Sequence, residues 1–174
     1  MIKTVENGAA SKAAASVRGG RLADRLEANA KALMEFATSL SADEWRKVMP
    51  GDGRTFGVLV HHVASIYPLE IQLAQATAAG NAMVGVAWQN VHDINAAHAK
   101  DNANATKDAA LQLLKENSAA AADAIRAFSD SDLDRAVPMS LYGDAELTCQ
   151  FFLEDHAVRH SMHHLARMRA ARQQ

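Results

Sequence analysis

The sequence is poor in cysteine, proline and aromatic residues. Its 174 residues include one cysteine, Cys149, so no disulfide can form within the chain and no zinc-ribbon or thioredoxin-type cysteine pair is present. Three prolines and 5% aromatic residues stand beside 49% hydrophobic residues, many of them alanine. This composition favours packed helices over a β-sandwich.

Long apolar runs and a strong excess of one charge are also missing. No window approaches the ~18 consecutive apolar residues of a membrane span, and the first twenty residues lack the apolar core of a signal peptide. A formal net charge of -2 gives no electrostatic reason to expect nucleic acid or an anionic membrane. The sequence therefore predicts a cytoplasmic protein with reduced cysteine and with neither nucleic acid nor membrane as a partner.

Four long segments carry apolar residues at helical spacing. They predict helices over residues 21–40, 55–79 and 107–128, and a last one that begins between Ala145 and Thr148 and runs almost to the end. Thr55 and Thr106 are the expected N-caps of the second and third helices, and Pro68 should kink the second helix or loosen one of its backbone hydrogen bonds. The sequence predicts an all-α four-helix bundle in one domain, residues 21–172, after a flexible or weakly helical leader, residues 1–20.

The connections between these helices are of unequal length. Ser41 and Glu44 have the spacing of a capping box that opens a short turn. The polar region 80–105 is interpreted as a long loop with one or two helical turns, and residues 137–143 as extended or loop. Both long connections, 80–105 and 129–146, could cross over the bundle, so the order of helix directions stays open at this point.

Four of the eight histidines lie within nine positions of the last helix, at His156, His160, His163 and His164. His156 and His160 are one helical turn apart and can converge on one atom. On the second helix, His62 lies in the middle of the apolar stripe, whereas His61 is rotated by about 100° from it.

Imidazoles in such positions have two interpretations. A single histidine on an apolar stripe is usually a core residue with satisfied hydrogen bonds, or lies at a solvated edge. Three inward histidines would be expensive to bury without a partner, and a divalent cation supplies one. Three neutral nitrogens with one open position are typical of a catalytic site, for which zinc or nickel is the best match.

Other sequence features give weaker indications. Cys149 lies on the same side of the last helix as His156, but a lone buried cysteine is usually a small core residue. Arg159 and Arg167 flank the histidines and could hold a substrate carboxylate, although arginines in such positions are usually solvated. The opposite side of this helix, with Phe151, Val158, Met162 and Leu165, is either buried in the bundle or the interface of a homodimer.

Two segments have the pattern of a known family. Residues 54–64, RTFGVLVHHVA, are similar to R-T-F-G-x-L-x-x-H-V-A, and residues 156–163, HAVRHSMH, followed by Arg169, to H-x-x-x-H-x-G-[NQ] with a later arginine. In these motifs the sequence resembles the DinB-like superfamily of metal-dependent bundles. The resemblance implies an up-down-down-up four-helix bundle, often dimeric. It also implies a metal held by one histidine of the second helix and two of the fourth, which correspond to His62, His156 and His160.

Met162 stands where the family has glycine, and His163 where it has asparagine or glutamine. A second register that pairs His160 with His164 is therefore an alternative. The first register is preferred because His164 is rotated by about 80° from His156 and because Arg169 then matches the family's arginine. His163 is expected to be a fourth ligand or to lie behind the ligands.

Two functions follow from this resemblance. The first is an enzyme whose divalent ion activates water or a low-molecular-weight thiol for attack on a small molecule, as a hydrolase or a thiol S-transferase. The alternative is a non-catalytic dimer that binds a metal or ligand, with a role in stress.

Overall fold

The computed structural model describes residues 16–173, which are mostly helical. This confirms the predicted all-α class. In chain order the elements are α1 (Val17–Ser39), α2 (Ala42–Arg46), α3 (Phe56–Ala78), α4 (Trp88–Asp101), α5 (Lys107–Arg126), α6 (Asp130–Asp134), β1 (Ala136–Met139), a 3-10 turn (Ser140–Tyr142), β2 (Ala145–Thr148), α7 (Cys149–Leu153), a π-helical turn (Glu154–Val158) and α8 (Arg159–Arg172).

Side chains at the N-termini define where the helices begin. The Thr55 hydroxyl accepts a hydrogen bond from the amide of Val58, and the Thr106 hydroxyl accepts one from Ala109, so both predicted N-caps are confirmed. The Ser41–Glu44 capping box is also present and opens α2. These bonds satisfy amides that have no partner inside the helix.

The long helices α1, α3, α5 and the α7–α8 segment enclose a single core. α1 and α3 each contact both α5 and α8. The largest buried side chains come from each of these segments and include Leu26, Leu33, Tyr67, Leu114 and Met168. A buried hydrogen bond of 2.5 Å between the hydroxyls of Tyr67 and Ser161 joins α3 to α8.

Pro68 lies inside α3, which continues to Ala78. A proline has no amide hydrogen, so the carbonyl four residues earlier, that of Ala64, loses its helical partner. The side-chain amide of Asn117 on α5 donates to this carbonyl at 2.8 Å. Asn117 therefore replaces the missing bond and ties α5 to α3 at that level; the predicted kink itself stays a prediction.

We expect Asn117→Ala to lower the free energy of unfolding by about 1–2 kcal/mol, because it leaves the Ala64 carbonyl without a partner. Urea unfolding followed by circular dichroism measures this change. In a Pro68→Ala background the helix supplies the missing amide, so the same substitution should cost much less. Equal costs in both backgrounds would show that the two residues are not coupled.

One prediction about the connections is wrong, since residues 88–101 form α4 rather than a long loop with one or two helical turns. The prediction that residues 137–143 are extended or loop agrees with β1 and the turn after it. The sequence did not reveal that β1 belongs to an antiparallel hairpin, in which Ala136 pairs with Thr148 and Met139 with Ala145. The sequence of α4 lacks the wide apolar stripe that marks a core helix, and accordingly none of its residues is buried. Strands of four residues are too short to show a clear alternation.

The helical limits also differ slightly from those predicted. α1 begins at Val17, within the segment assigned to the leader, and Thr148 is the N-cap of α7 rather than part of a helix. The rest of the proposed leader, residues 1–15, lies outside the described residues, and the division into leader and domain stays a prediction. No helix within residues 16–173 is long and apolar enough to cross a membrane.

Candidate metal centre

Three histidines meet between α3 and α8. His62, His160 and His164 each offer a ring nitrogen, and the three nitrogens lie within 4.8 Å of one another. The ring centroids are 5.1 Å apart for His62 and His160, 5.5 Å for His62 and His164, and 5.0 Å for His160 and His164. The three donors therefore surround one point, as a metal site requires.

A buried carboxylate orients one of these rings. Glu70 of α3 lies 2.7 Å, through Oε1, from Nδ1 of His160. In the tautomer that carries its proton on Nδ1, the ring donates to Glu70 and Nε2 keeps its lone pair for a metal. A carboxylate behind a ligating histidine is a recurrent feature of metal sites because it fixes the tautomer and the orientation of the ring.

The interior keeps the imidazoles of His62 and His164 neutral. Burial, followed by the charges of His160 and Arg54, lowers the pKa of His62 to about 3. Burial, followed by the charges of His160 and His62, lowers the pKa of His164 to about 2. Both side chains therefore carry free lone pairs at neutral pH, which is the form that binds a metal.

His156, which the sequence-based choice placed in the triad, has different neighbours. Its Nε2 lies 3.0 Å from the hydroxyl of Tyr142, and its ring stacks on Phe152 with centroids 4.4 Å apart. His156 belongs to the π-helical turn, whose extra residue per turn changes the angle between His156 and His160. The structure thus brings His62 and His160 together with His164, in the second register; ligation by His156 stays a prediction.

The remaining candidates lie around this group. His163 is exposed and contacts the ring of His164 edge-on, with centroids 5.2 Å apart. Its role as a fourth ligand or as a group behind the ligands stays a prediction. Cys149 is fully buried and its thiol contacts the carbonyl of Ala74; burial raises its pKa to about 12. It is a core residue and offers no thiolate to the site.

A buried ion pair lies beside the histidines. Asp52 accepts from Nε and Nη2 of Arg54 at 2.6 and 3.0 Å and forms a salt bridge of 3.1 Å with Arg167. Burial by itself would raise the pKa of Asp52, but the hydrogen bond and charge of Arg54 and the charge of Arg167 outweigh it and lower the pKa to about 2. Nη1 of Arg54 is buried without a hydrogen-bond partner among the described residues.

Comparison with models of known protein families identifies the family of this chain. The family model described as the DinB superfamily matches residues 25–168. The chain belongs to the DinB superfamily. Searches against curated proteins and solved structures return no match for this DinB superfamily chain.

The histidine group of this DinB superfamily protein opens into a cavity of about 730 Å³. All three histidines line it, together with His156, His163 and Tyr142. Its walls are largely aliphatic and come from α3, α4, the hairpin and α7. A small molecule can therefore reach the ring nitrogens through a space of the size that ligand pockets usually have.

Sequence reasoning missed two residues of this site. Glu70 lies two turns after His62 on the same helix, and a carboxylate within an apolar stripe was the available signal. His98 of α4 reaches α3, where its Nε2 lies 2.9 Å from Nδ1 of His61 and 3.1 Å from the hydroxyl of Ser65. No spacing in the sequence connects His98 to His61, because α4 meets α3 only through the tertiary fold.

The lowered pKa values predict that the metal-free protein loses stability in mild acid. Below an unfolded-state pKa of 6.5 the unfolded chain takes up protons at His62 and His164, whereas the folded chain stays unprotonated down to about pH 3. The free energy of unfolding should therefore fall as the pH drops from 7 to 5.5, by on the order of 2 kcal/mol for both residues together.

Urea unfolding of chelator-treated protein at several pH values measures this slope. A His164→Gln variant serves as the control, and its slope should be smaller by the share of one histidine. A free energy of unfolding that does not change between pH 7 and pH 5.5 would contradict the neutral, buried state of both rings.

Proposed function

We propose that this protein is a metal-dependent enzyme whose divalent ion is held by His62, His160 and His164. The observation that carries the proposal is the meeting of three ring nitrogens, within 4.8 Å of one another, at the wall of a cavity. Zinc bound by imidazole has Zn–N distances of about 2.0–2.1 Å, so its ligand atoms lie about 3–3.5 Å apart. The nitrogens would therefore approach one another by up to about 1–2 Å when the ion binds.

The donor set fits zinc or nickel. Nδ1 of His164 is buried and has no hydrogen-bond partner among the described residues, and a bound cation would satisfy a nitrogen in that position. Imidazole is a preferred ligand of both metals, and three protein ligands leave a position open for a reactant. Glu70 contacts the far side of the His160 ring and holds its orientation, as carboxylates do in such metal sites.

When bound, the ion would lower the pKa of a coordinated water or small thiol, so that it attacks an electrophile. The chain's own residues prepare the surroundings. The cavity beside the histidines has apolar side chains such as Leu73 and Met139 in its wall, and the guanidinium of Arg54 lines the same cavity. On another wall, Tyr142 donates to Asp155 and contacts His156, which gives this wall groups that can hold or accept a proton.

The proposal includes the bundle topology. The C-terminal ends of α1 and α8 lie together, because Arg172 contacts Ser39, so these two helices run in the same direction. The start of α1 lies at the end of α5, where the Ser16 amide donates to the Phe128 carbonyl, so α1 and α5 run in opposite directions. α3 and α8 run in opposite directions, since His160 contacts Glu70 while Cys149 contacts Ala74. These contacts support an up-down-down-up four-helix bundle.

We further propose a cytoplasmic homodimer. Phe151 and Met162, on the outer side of α7 and α8, are large apolar residues that remain exposed, whereas Val158 and Leu165 of the same side are buried within the chain. Exposed apolar side chains support a contact with a second copy. Light scattering measures the mass; a monomer at all concentrations, unchanged in Met162→Glu, would reject the dimer.

The metal is tested on protein purified without a polyhistidine tag. We expect about one zinc or nickel per chain by elemental analysis, after loading and removal of excess metal. A metal content that stays near zero would reject the proposal. A screen for hydrolysis and for thiol transfer, run with loaded and chelated protein, then separates an enzyme from a protein that only binds metal.

Glu70 provides a finer test. Glu70→Gln keeps the size and the acceptor oxygen but removes the negative charge behind His160, so we expect the affinity for zinc to fall by about 10-fold to 100-fold. A competition titration with a chromophoric chelator measures the affinity. Glu146→Gln on the exposed face of β2 is the control and should leave it unchanged.

A further inference from the structure

The cavity has chemically different ends. The α3 residues that line it run from His62 to Ala76, a distance of about 21 Å along the helix. Because α8 runs opposite to α3, Arg167 lies at the His62 end, where it shares Asp52 with Arg54, and Phe152 lies at the Ala76 end. One end therefore holds two arginines beside the histidine group, whereas the apolar side chains of Leu73, Ala76 and Phe152 lie towards the other end.

An anion is the complementary charge for the polar end. Arg54, Arg159 and Arg167 line the cavity, and they are balanced by Asp52, Glu70 and Asp155. A divalent ion held by the three histidines would add two positive charges to this balance. Arg54 also has a buried Nη1 that has no hydrogen-bond partner among the described residues.

The apolar end is lined by side chains that nothing in the described chain covers. Val84, Val86, Trp88 and Ile94 line the cavity and are 58%, 41%, 53% and 54% exposed. They come from α4 and the segment before it, which together form one wall of the cavity. No residue of α4 is buried in the core. A continuous apolar wall of this kind indicates a bound apolar group.

We propose that the ligand of this cavity is an amphiphilic anion, a carboxylate on an unbranched apolar chain of medium length. The carboxylate lies at the metal and Arg54, and the chain lies along Leu73 and Val84 towards Phe152. This inference rests on the proposed metal site for the binding of a carboxylate at the polar end. The apolar end depends only on the chain's own residues, so the two can fail separately.

Calorimetric titration of the full-length, zinc-loaded protein tests the proposal with decanoate, butyrate and decanol as probes. Each buried methylene should tighten binding by roughly threefold to fourfold, so decanoate should bind at least about 100-fold more tightly than butyrate. Decanol, which lacks the charge, should bind at least about 10-fold more weakly than decanoate. If butyrate binds as tightly as decanoate, the proposed apolar chain is overturned. If decanol binds as tightly as decanoate, the proposed anionic head is overturned.

Two exposed valines provide a matched pair of variants. Val84→Asp puts a carboxylate into the apolar wall and should weaken decanoate at least about 10-fold without changing the zinc content. Val48→Asp makes the same change at a valine that is 55% exposed and does not line this cavity, so it should leave the affinity within about twofold. Equal effects of the two substitutions overturn the proposed position of the chain.

Arg54→Gln tests the polar end and should weaken decanoate at least about 10-fold while leaving decanol unchanged. If loss of its bond to Asp52 unfolds that variant, Arg167→Gln, at a half-exposed arginine, provides the same comparison. If the ratio of the decanoate affinity to the decanol affinity is the same in the variant and the parent, the proposed contact between the arginines and the carboxylate is overturned. The zinc content is measured first: protein that holds no zinc rejects the metal centre, and the decanol titration with Val84→Asp still decides the apolar end.

Discussion

Replacing His164 with glutamine should abolish stoichiometric zinc binding, whereas replacing His156 with glutamine should leave it intact. His164 offers a nitrogen to the group that also includes His62 and His160, and His156 instead contacts Tyr142 and Phe152. Loss of one of three ligands should lower the affinity for zinc by at least about 100-fold, more than the loss of the Glu70 charge behind His160.

The measurement is a chelator competition on untagged protein, with elemental analysis of the same samples. His62→Gln and His160→Gln should behave as His164→Gln does, because each removes one ligand. Thermal unfolding of the metal-free variants checks that the fold is kept. The opposite result, in which His156→Gln loses zinc and His164→Gln keeps it, would favour the set His62, His156 and His160.

Gly57→Ala should strongly destabilise the protein, by about 3 kcal/mol. A Cβ at this position of α3 would lie 2.4 Å from Nε1 and 2.5 Å from Cε2 of Trp45. The Trp45 ring is buried, and its Nε1 donates to the carbonyl of Ala105 at 3.0 Å, so the ring cannot move away without losing packing and a hydrogen bond. Gly57 is therefore needed for close approach of α2 to α3.

Gly20→Ala is the matched control, because it makes the same change within a helix where no atom lies within 4 Å of the added Cβ. There alanine should raise the free energy of unfolding, by up to about 1 kcal/mol, through its higher helix propensity. Urea unfolding of both variants gives the comparison. A Gly57→Ala protein as stable as the parent would show that Trp45 has another position available.

Much of the fold follows from local sequence. The long helices could be predicted because each buries a wide apolar stripe, and caps such as Thr55 and Thr106 mark where two of them begin. α4 could not be predicted in this way, since it has no buried residue and hence no core stripe. The same limit applies to the hairpin, whose strands are short and lie at the edge of a helical protein.

The sequence alone determined that histidines of the second and fourth long helices would face each other, since residue spacing fixes which side of a helix faces the core. It identified His62 and His160 as members of the group. Only the tertiary structure decided the third member, because a π-helical turn at Glu154–Val158 changes the angular relation between His156 and His160, while His160 and His164 remain one turn apart in α8. The position of Glu70 behind His160, and of α4 over the cavity, likewise depends on contacts between segments far apart in the chain.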